Sequence, residues 1–504
     1  MSFKYSSCFV CGLLVAFSFP TFFLVPLILI GYFFFLKQLY LSSSNSVNFK
    51  CGLAFGLGFF SISLHWIIFP LRLDQNYENI SFFLAFLFIF LLSFFYAFLG
   101  LVLGIFIKKS KKNPMLFFDS FVIALIIFLF ELLRSHLFGG FPWNLTAHIW
   151  GFDSRMFNIV KSLGVEILSF ITIYWIIIFS KLLFVKKKTL SILFLLGLPS
   201  VLYLHSKMNF DNDKNIKHLN VRIIQPNIAQ KIKWDKDYYF KNLKVLTELT
   251  NSKSSFEEKI DLIIWPESAV PFLIEDKENN INFFEKNFDE DQNLFLGAIR
   301  KSQINGSQFF NSFFHIRNGK IVSFYDKTKL VPFGEFMPFR NLIPFKKITE
   351  GSTDFSKGTT QKIINFFDLR GNEIIVKPSI CYEGIFFQKT AGEQFPNIII
   401  NITNDAWFGD TIGPGQHLTA TRFRALELGL PLVRVANTGI SGVFDSNGKN
   451  LEVISLSKRG IIDTKLFYST QMNSNTSLKF FLILFFTLIF GVSVIYFDFL
   501  KKNG

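Results

Sequence analysis

The sequence predicts two architectures in one chain: a polytopic α-helical membrane domain and a layered α/β domain inserted before the last span. Three observations carry this. Half of the 504 residues are hydrophobic and 18% are charged, with a mean hydropathy of +0.37; soluble domains carry about 25% charge. Apolar runs of about 20 residues, the length that crosses a bilayer, recur up to residue 206 and once more near the C-terminus. From residue 207 to 477, short β-like runs alternate with polar stretches. A wholly soluble protein and a disordered chain are both excluded.

The spans follow in order. Cys8–Leu36 carries Ser18-Phe19-Pro20 at its middle. Proline disfavours helix in the residue before it, so this stretch reads as two short helices in a hairpin. No small-residue cleavage site follows it, which argues against a signal peptide. Gly52–Phe69, Ser81–Ile107, Met115–Leu133, Leu163–Val185 and the shorter Leu190–Leu204 complete seven spans, and Phe480–Phe497 is the eighth. The expected division is a membrane domain over 1–206, a layered α/β domain over 207–477, and a C-terminal span with a basic tail over 478–504.

Lysines orient these spans. Lys37 and Lys50, then Lys108, Lys109, Lys111 and Lys112, then Lys186, Lys187 and Lys188, and finally Lys501 and Lys502 fall in alternate loops. Basic loops stay cytoplasmic, so the 207–477 region is expected on the outer side. The same lysines account for the excess of 52 basic over 37 acidic residues, and no nucleic-acid partner is expected. Within the spans, Glu131 and Arg134 stand three apart on one helix face and are expected to neutralise each other. Trp143, in Phe141-Pro142-Trp143, reads as an interfacial anchor.

The outer region offers strands at Asn220–Gln225, Leu262–Trp265, Phe295–Ala298, Ile374–Lys377, Asn397–Ile402 and Leu432–Ala436, with helices at Asp237–Leu249 and His417–Leu428. Asn318-Gly319 and Asn447-Gly448 mark two hairpins, the dipeptide suiting the type I′ turn. Cys8, Cys11 and Cys51 lie in apolar runs. Cys381 alone lies in the polar region and has no partner there for a disulfide. No cysteine or histidine spacing matches a zinc site, so neither metal nor cofactor is expected.

Three motifs carry chemistry: Trp265-Pro266-Glu267-Ser268, Lys327-Thr328-Lys329-Leu330-Val331-Pro332-Phe333-Gly334-Glu335 and Ser379-Ile380-Cys381-Tyr382-Glu383. They combine a thiol, a carboxylate and an ammonium. Acyl transfer needs a nucleophile, a base and a stabiliser of the oxyanion, and these three groups can supply them. Lys327 is expected to help depress the thiol pKa.

In this order the motifs resemble the Glu-Lys-Cys motifs of the nitrilase superfamily. Together with the N-terminal spans and the C-terminal span, they resemble the bacterial apolipoprotein N-acyltransferase family over essentially the whole chain. The resemblance implies an α-β-β-α sandwich, nitrilase-like and extracytoplasmic, joined to the membrane domain. It implies Glu267 as general base, Lys327 as oxyanion-stabilising ammonium and Cys381 as nucleophile. It further implies supporting roles for Glu335, Tyr382, Glu383, Trp234 and Trp143. Lys329 departs from the histidine frequent at its position. Asn404-Asp405-Ala406-Trp407-Phe408-Gly409 also resembles the family, as a rim-shaping loop. The implied donor is a phospholipid, the acceptor a diacylated apolipoprotein, the location the bacterial inner membrane with the catalytic region periplasmic, and the expected state a monomer. A membrane-tethered amidase of small amides and a non-enzymatic membrane scaffold are the competing classes.

Overall fold

The computed structural model describes residues 3–42, 44–73, 77–111, 116–207, 216–254, 256–276, 278–302, 308–338, 354–359, 363–386 and 394–470. The expected span Phe480–Phe497 and the basic tail lie outside the described residues. The chain divides into two units. One holds the described residues up to 207, save the short segment after Ile68. The other holds that segment and the residues from 216 to 470.

The first unit is helical: α1 (Phe3–Ala16), α2 (Pro26–Leu41), α3 (Asn45–Ser63), α4 (Ser81–Ser110), α5 (Leu116–His136), α6 (Val165–Phe184) and α7 (Lys188–His205). The stretch around Ser18-Phe19-Pro20 does break the apolar run into α1 and α2. Thr21 and Phe23 take positive φ there, and Pro26 opens α2, where its missing N–H costs nothing. Seven spans were expected here. By length and composition, four of the described helices qualify: Glu78–Ser110, Leu116–His136, Val165–Phe184 and Lys188–His205. A fifth counts if α3 and His65–Leu73, bent by 64°, form one broken span. Helices α1 and α2 have 14 and 16 residues, short of the roughly 20 that cross a bilayer. Small residues let these helices approach closely: a Cβ added at Gly58 of α3 would lie 2.1 Å from the Phe9 carbonyl oxygen of α1.

Glu131 and Arg134 each bond to the loop that follows their helix. Glu131 accepts from the main-chain N–H and hydroxyl of Thr146, while Arg134 donates to the carbonyls of Phe141, Trp143 and Asn144. Both charges hold the loop between α5 and α6. Trp143, at 2% exposed, stacks on Phe141 and meets Trp66 at 5.0 Å. It is packed inside the unit and does not project as an anchor.

The second unit contains two six-stranded sheets. Strands β1 (Ile216–Gln225), β2 (Leu262–Ile264), β3 (Asn293–Lys301), β4 (Phe309–Arg317), β5 (Lys320–Asp326) and β12 (Gly460–Ser469) form one, in the order β12-β1-β2-β3-β4-β5. Strands β6 (Ile364–Phe367), β7 (Glu373–Ile380), β8 (Ile398–Thr403), β9 (Leu432–Ala436), β10 (Ser441–Phe444) and β11 (Asn450–Ile454) form the other, in the order β11-β10-β9-β8-β7-β6. The central strands β1-β2-β3 and β7-β8-β9 are parallel.

Alternation in the central strands builds the layers. Leu262 and Ile264 join Ile398, Ile400 and Ile402 in the core between the sheets. Their neighbours Ile263 and Trp265 face the other way, with Leu243 and Leu246 of α8 (Tyr239–Thr250) and Phe284 of α9 (Glu278–Asn287). Across the second sheet, Ile399 and Leu432 pack with Ala425 of α10 (Gly413–Glu427). Strands buried on both faces read as continuous apolar runs, as Leu262–Trp265 and the three isoleucines 398–400 do. The result is the α-β-β-α sandwich.

The two Asn-Gly hairpins differ. Asn318 and Gly319 both have positive φ, +49° and +63°, as a type I′ turn needs. In the second, Gly448 alone does. There the Asp445 carboxylate captures the N–H groups of Asn447 and Lys449 and imposes a wider loop.

Candidate active site

Each motif residue lies just past the end of a strand in the sandwich. Glu267 follows β2, Lys327 follows β5 and Cys381 follows β7. The chain turns sharply past the carboxyl ends of β2 and β7, which run parallel to β3 and β8, whereas β5 is an antiparallel edge strand. Ser268 and Cys381 both take φ of +49°, and Cys381 opens a 3₁₀ turn, Cys381–Ile385. A non-glycine residue in this region costs of order 1–3 kcal/mol and persists only where its surroundings enforce it.

Lys327 is 1% exposed and Glu267 5%. The Lys327 ammonium lies 2.9 Å from Glu335 Oε1 and 3.5 Å from Glu267 Oε1. Asn311 of β4 forks between the same two oxygens, donating at 2.7 Å to Glu267 and 2.9 Å to Glu335. The other Glu267 oxygen accepts the Asn404 main-chain N–H at 2.7 Å, and the other Glu335 oxygen accepts that of Val331 at 2.8 Å. Burial works against the Lys327 charge, but Glu335, Glu267 and a Cys381 thiolate outweigh it and hold the ammonium above its ordinary pKa. Lys327 therefore remains a cation throughout the neutral range.

The Cys381 thiol, 8% exposed, titrates above its ordinary value. Burial is the main cause, and the Glu267 charge adds to it. Lys327 and a hydrogen bond from Thr403 pull the other way without prevailing. This corrects the expectation of a depressed thiol pKa: Lys327 stabilises the thiolate, but burial and Glu267 together outweigh it. The resting group is a thiol whose proton must leave as the sulfur attacks.

Glu383 ties the cysteine turn to the lysine loop. Its Oε1 accepts from Tyr325 Oη, from Thr328 N and Oγ1, and from Lys329 N; its Oε2 accepts from Ile380 N. Tyr382 meets the Phe386 ring edge-on at 5.0 Å. Trp234 caps the short helix Gln230–Lys233 and is half-buried. The Lys329 ammonium lies 5.2 Å from the Phe386 ring centroid.

Sequence reading missed four contributors. Asn311 interrupts the aromatic run Phe309–Phe314, and Arg434 interrupts Leu432–Ala436; a polar residue within an apolar strand was the available signal. Lys233 is buried and donates to the Glu267 carbonyl at 3.0 Å, and burial draws it down to about 8 against the pull of Glu267 and Cys381. His417 bonds the Cys381 carbonyl. Donor atoms of Cys381, Asp405 and His417 lie within 4.8 Å of one another. The Asp405 and His417 atoms are engaged with each other, and Arg434 donates to Asp405 at 2.8 Å, a cation placed where a metal ion would be repelled.

Comparison with known proteins bears on both units. The profile described as Apolipoprotein N-acyltransferase N-terminal domain matches residues 11–198, and that described as Carbon-nitrogen hydrolase matches residues 220–469. The chain is 33% identical over 477 residues to an apolipoprotein N-acyltransferase of Rickettsia prowazekii, covering 91% of this chain and 92% of the relative. It is 32% identical over 498 residues to that of Rickettsia bellii, covering 95% of each chain. The Brucella melitensis protein of the same name is 32% identical over 441 residues, covering 83% of this chain and 79% of the relative.

Proposed function

The chain belongs to the apolipoprotein N-acyltransferase family, and on that premise we propose that it moves an acyl chain from a phospholipid to the α-amino group of the N-terminal diacylglyceryl-cysteine of apolipoproteins, through a Cys381 thioester. It is an acyltransferase of the inner membrane, with the catalytic region on the periplasmic side. The supporting observation is the buried Lys327 ammonium, shared by Glu267 and Glu335, whose charge acts on a thiol held in a strained turn.

The reaction runs in two halves. Sγ of Cys381 bonds to the donor's ester carbonyl carbon as Glu267 takes the thiol proton. The negative charge that develops on the carbonyl oxygen is met by the Lys327 ammonium, which needs no reorganisation at that moment. Collapse breaks the ester C–O bond, and Glu267 returns the proton to the departing lysophospholipid oxygen. In the second half, the lipoprotein amine attacks the thioester and Glu267 takes its proton. The C–S bond breaks, an amide forms, and the sulfur recovers the proton. Two membrane-anchored substrates thus use one site in turn. The raised thiol pKa suits this, because general-base removal matters most where the thiolate is scarce.

Incubation with phospholipid alone should add the mass of one acyl chain to the protein, released by neutral hydroxylamine. A diacylated lipopeptide with a free N-terminus should discharge it, and one with a blocked amine should not. An adduct that forms equally well on Cys381→Ala would refute the assignment.

A further inference from the structure

A second set of buried polar side chains lies beside Cys381; Thr403 and Asp405 among them act on the thiol, and none takes or gives a proton in the steps above. Asn401 and Thr403 come from β8, Asp405 from the turn after it, His417 from α10 and Arg434 from β9. All are buried, and they close a ring. His417 Nε2 lies 3.1 Å from the Cys381 carbonyl oxygen, and His417 Nδ1 lies 2.9 Å from Asp405 Oδ1. Arg434 donates to Asp405 Oδ2 at 2.8 Å and to Asn401 Oδ1 at 2.6 Å. Asn401 Nδ2 returns to Ser379 Oγ at 3.2 Å and to the Cys381 carbonyl at 3.5 Å. Thr403 donates to Asp405 Oδ1 at 2.9 Å.

Such a ring is costly to bury, and replacing it by apolar residues would often stabilise a protein. Its cost calls for a reason beyond stability, and the ring ends on one particular atom. Cys381 has a φ of +49°, a conformation that its surroundings must enforce. Its carbonyl and the following N–H belong to one planar peptide unit. A bond on that carbonyl therefore fixes the plane that leads out of the turn and, with it, the direction in which the thiol is presented.

We infer that His417, oriented by Asp405 and Arg434, is a positioning residue that clamps the main-chain carbonyl of Cys381 and holds the strained turn in its reactive geometry. The inference rests on the reading of Cys381 as nucleophile. The clamp acts on the acylation rate, not on phospholipid binding.

The test compares two amides at position 417. In His417→Gln the side-chain amide nitrogen reaches the place of Nε2 and still donates to the carbonyl. In His417→Asn the side chain reaches only the place of Nδ1, within reach of Asp405 and of the Arg434 Nη2 that lies 3.0 Å from that nitrogen, and loses the carbonyl. Single-turnover acylation by phospholipid is followed by intact-protein mass, alongside KM and the thermal midpoint in detergent. His417→Asn should acylate about 10²-fold more slowly, the scale on which misplacement of a reacting group acts, with KM unchanged. His417→Gln should recover most of that loss. A purely structural ring would make the two variants alike, and equal rates in both would overturn the clamp. If His417→Asn does not fold, Asp405→Asn is read in its place, since it keeps the ring's shape and removes the charge that orients the imidazole. Slower acylation at unchanged KM supports the clamp, and a wild-type rate overturns it. Cys381→Ala separates the two levels: an adduct on that variant defeats the nucleophile assignment itself, whereas loss of the adduct there, with a wild-type rate in His417→Asn, defeats only the clamp.

Discussion

Lys327 donates to Glu335 at 2.9 Å, closer than the 3.5 Å that separates it from Glu267. The shorter pair lets Glu267 stay available. If Glu335 did not share the ammonium, the Lys327–Glu267 pair, now 3.5 Å apart, would shorten and hold the proposed base. Glu335→Gln should thus lower the acylation rate by about 10²-fold, the usual scale for loss of a general base, with KM little changed. The thermal midpoint should fall as well, because one partner of a buried pair has been removed. Near-normal turnover would reduce Glu335 to an inert charge.

Glu383 makes a different kind of demand. Its Oε1 faces four donors and its Oε2 faces the Ile380 N–H. A glutamine places an NH₂ against donors on one side or the other, so one buried N–H must lose its acceptor, at about 1–3 kcal/mol. Glu383→Gln should lower the thermal midpoint and slow acylation together, since the same carboxylate joins the cysteine turn to the lysine loop. A variant that melts and turns over like the parent would remove Glu383 from the scaffold of the site.

Much of this was legible before any coordinates. Glu267 and Cys381 each follow an apolar run, Lys327 follows an alternating strand, and a strand's end is where a side chain reaches the rim of a sheet. Asn311 and Arg434 stand out as polar residues in apolar strands, but their roles and that of His417 were not legible, because these come from strand order. Arg434 meets Asp405 only because β8 and β9 are parallel neighbours with Asn401 opposite Arg434. The two Asn-Gly pairs make the same point locally. Identical dipeptides form different turns because Asp445 captures neighbouring N–H groups at one of them. The thiol pKa went the other way from expectation because it sums burial with charge, and burial is invisible in a motif. Hydropathy marks the apolar runs, while the length of the helix each run forms is set by breaks such as the one at Ser18-Phe19-Pro20.

His315 sets a pH dependence of stability. It lies on β4 between Phe295 and Phe366, with Nε2 3.0 Å from Asn293 Oδ1. Burial, aided by Arg317, lowers it from 6.5 to about 4. The folded state keeps the ring neutral where the unfolded chain protonates it. Between pH 6.5 and about 4 the unfolded state binds more protons, so this contribution is present above 6.5 and is lost as the pH falls through that window. His315→Gln keeps a donor for Asn293 and removes the titration. Its thermal midpoint should fall less than the parent's between pH 7 and pH 5. Equal falls would show that His315 is not a source of the acid sensitivity.

Gly297 places Glu267. The segment Pro266–Ala269 lies against β3, with the Gly297 N–H donating to the Pro266 carbonyl at 3.1 Å and the Ala269 N–H donating to Gly297 O at 2.7 Å. A Cβ at position 297 would lie 2.6 Å from Glu267 Cα and 2.7 Å from Ser268 N. Both are backbone atoms, so no side chain can swing aside to make room, and Glu267 itself must move. A shift on the order of an ångström in a catalytic group costs about 10²-fold, so Gly297→Ala should slow acylation on that scale. Because Glu267 also holds the Asn404 N–H and the Asn311 amide, the displacement should reach the proton acceptor and its supports together. In the proposed mechanism both half-reactions use that acceptor, so discharge of a preformed thioester by a lipopeptide amine should slow by a similar factor. A variant that folds, acylates normally and discharges normally would mean that Glu267 is not the group that moves the proton.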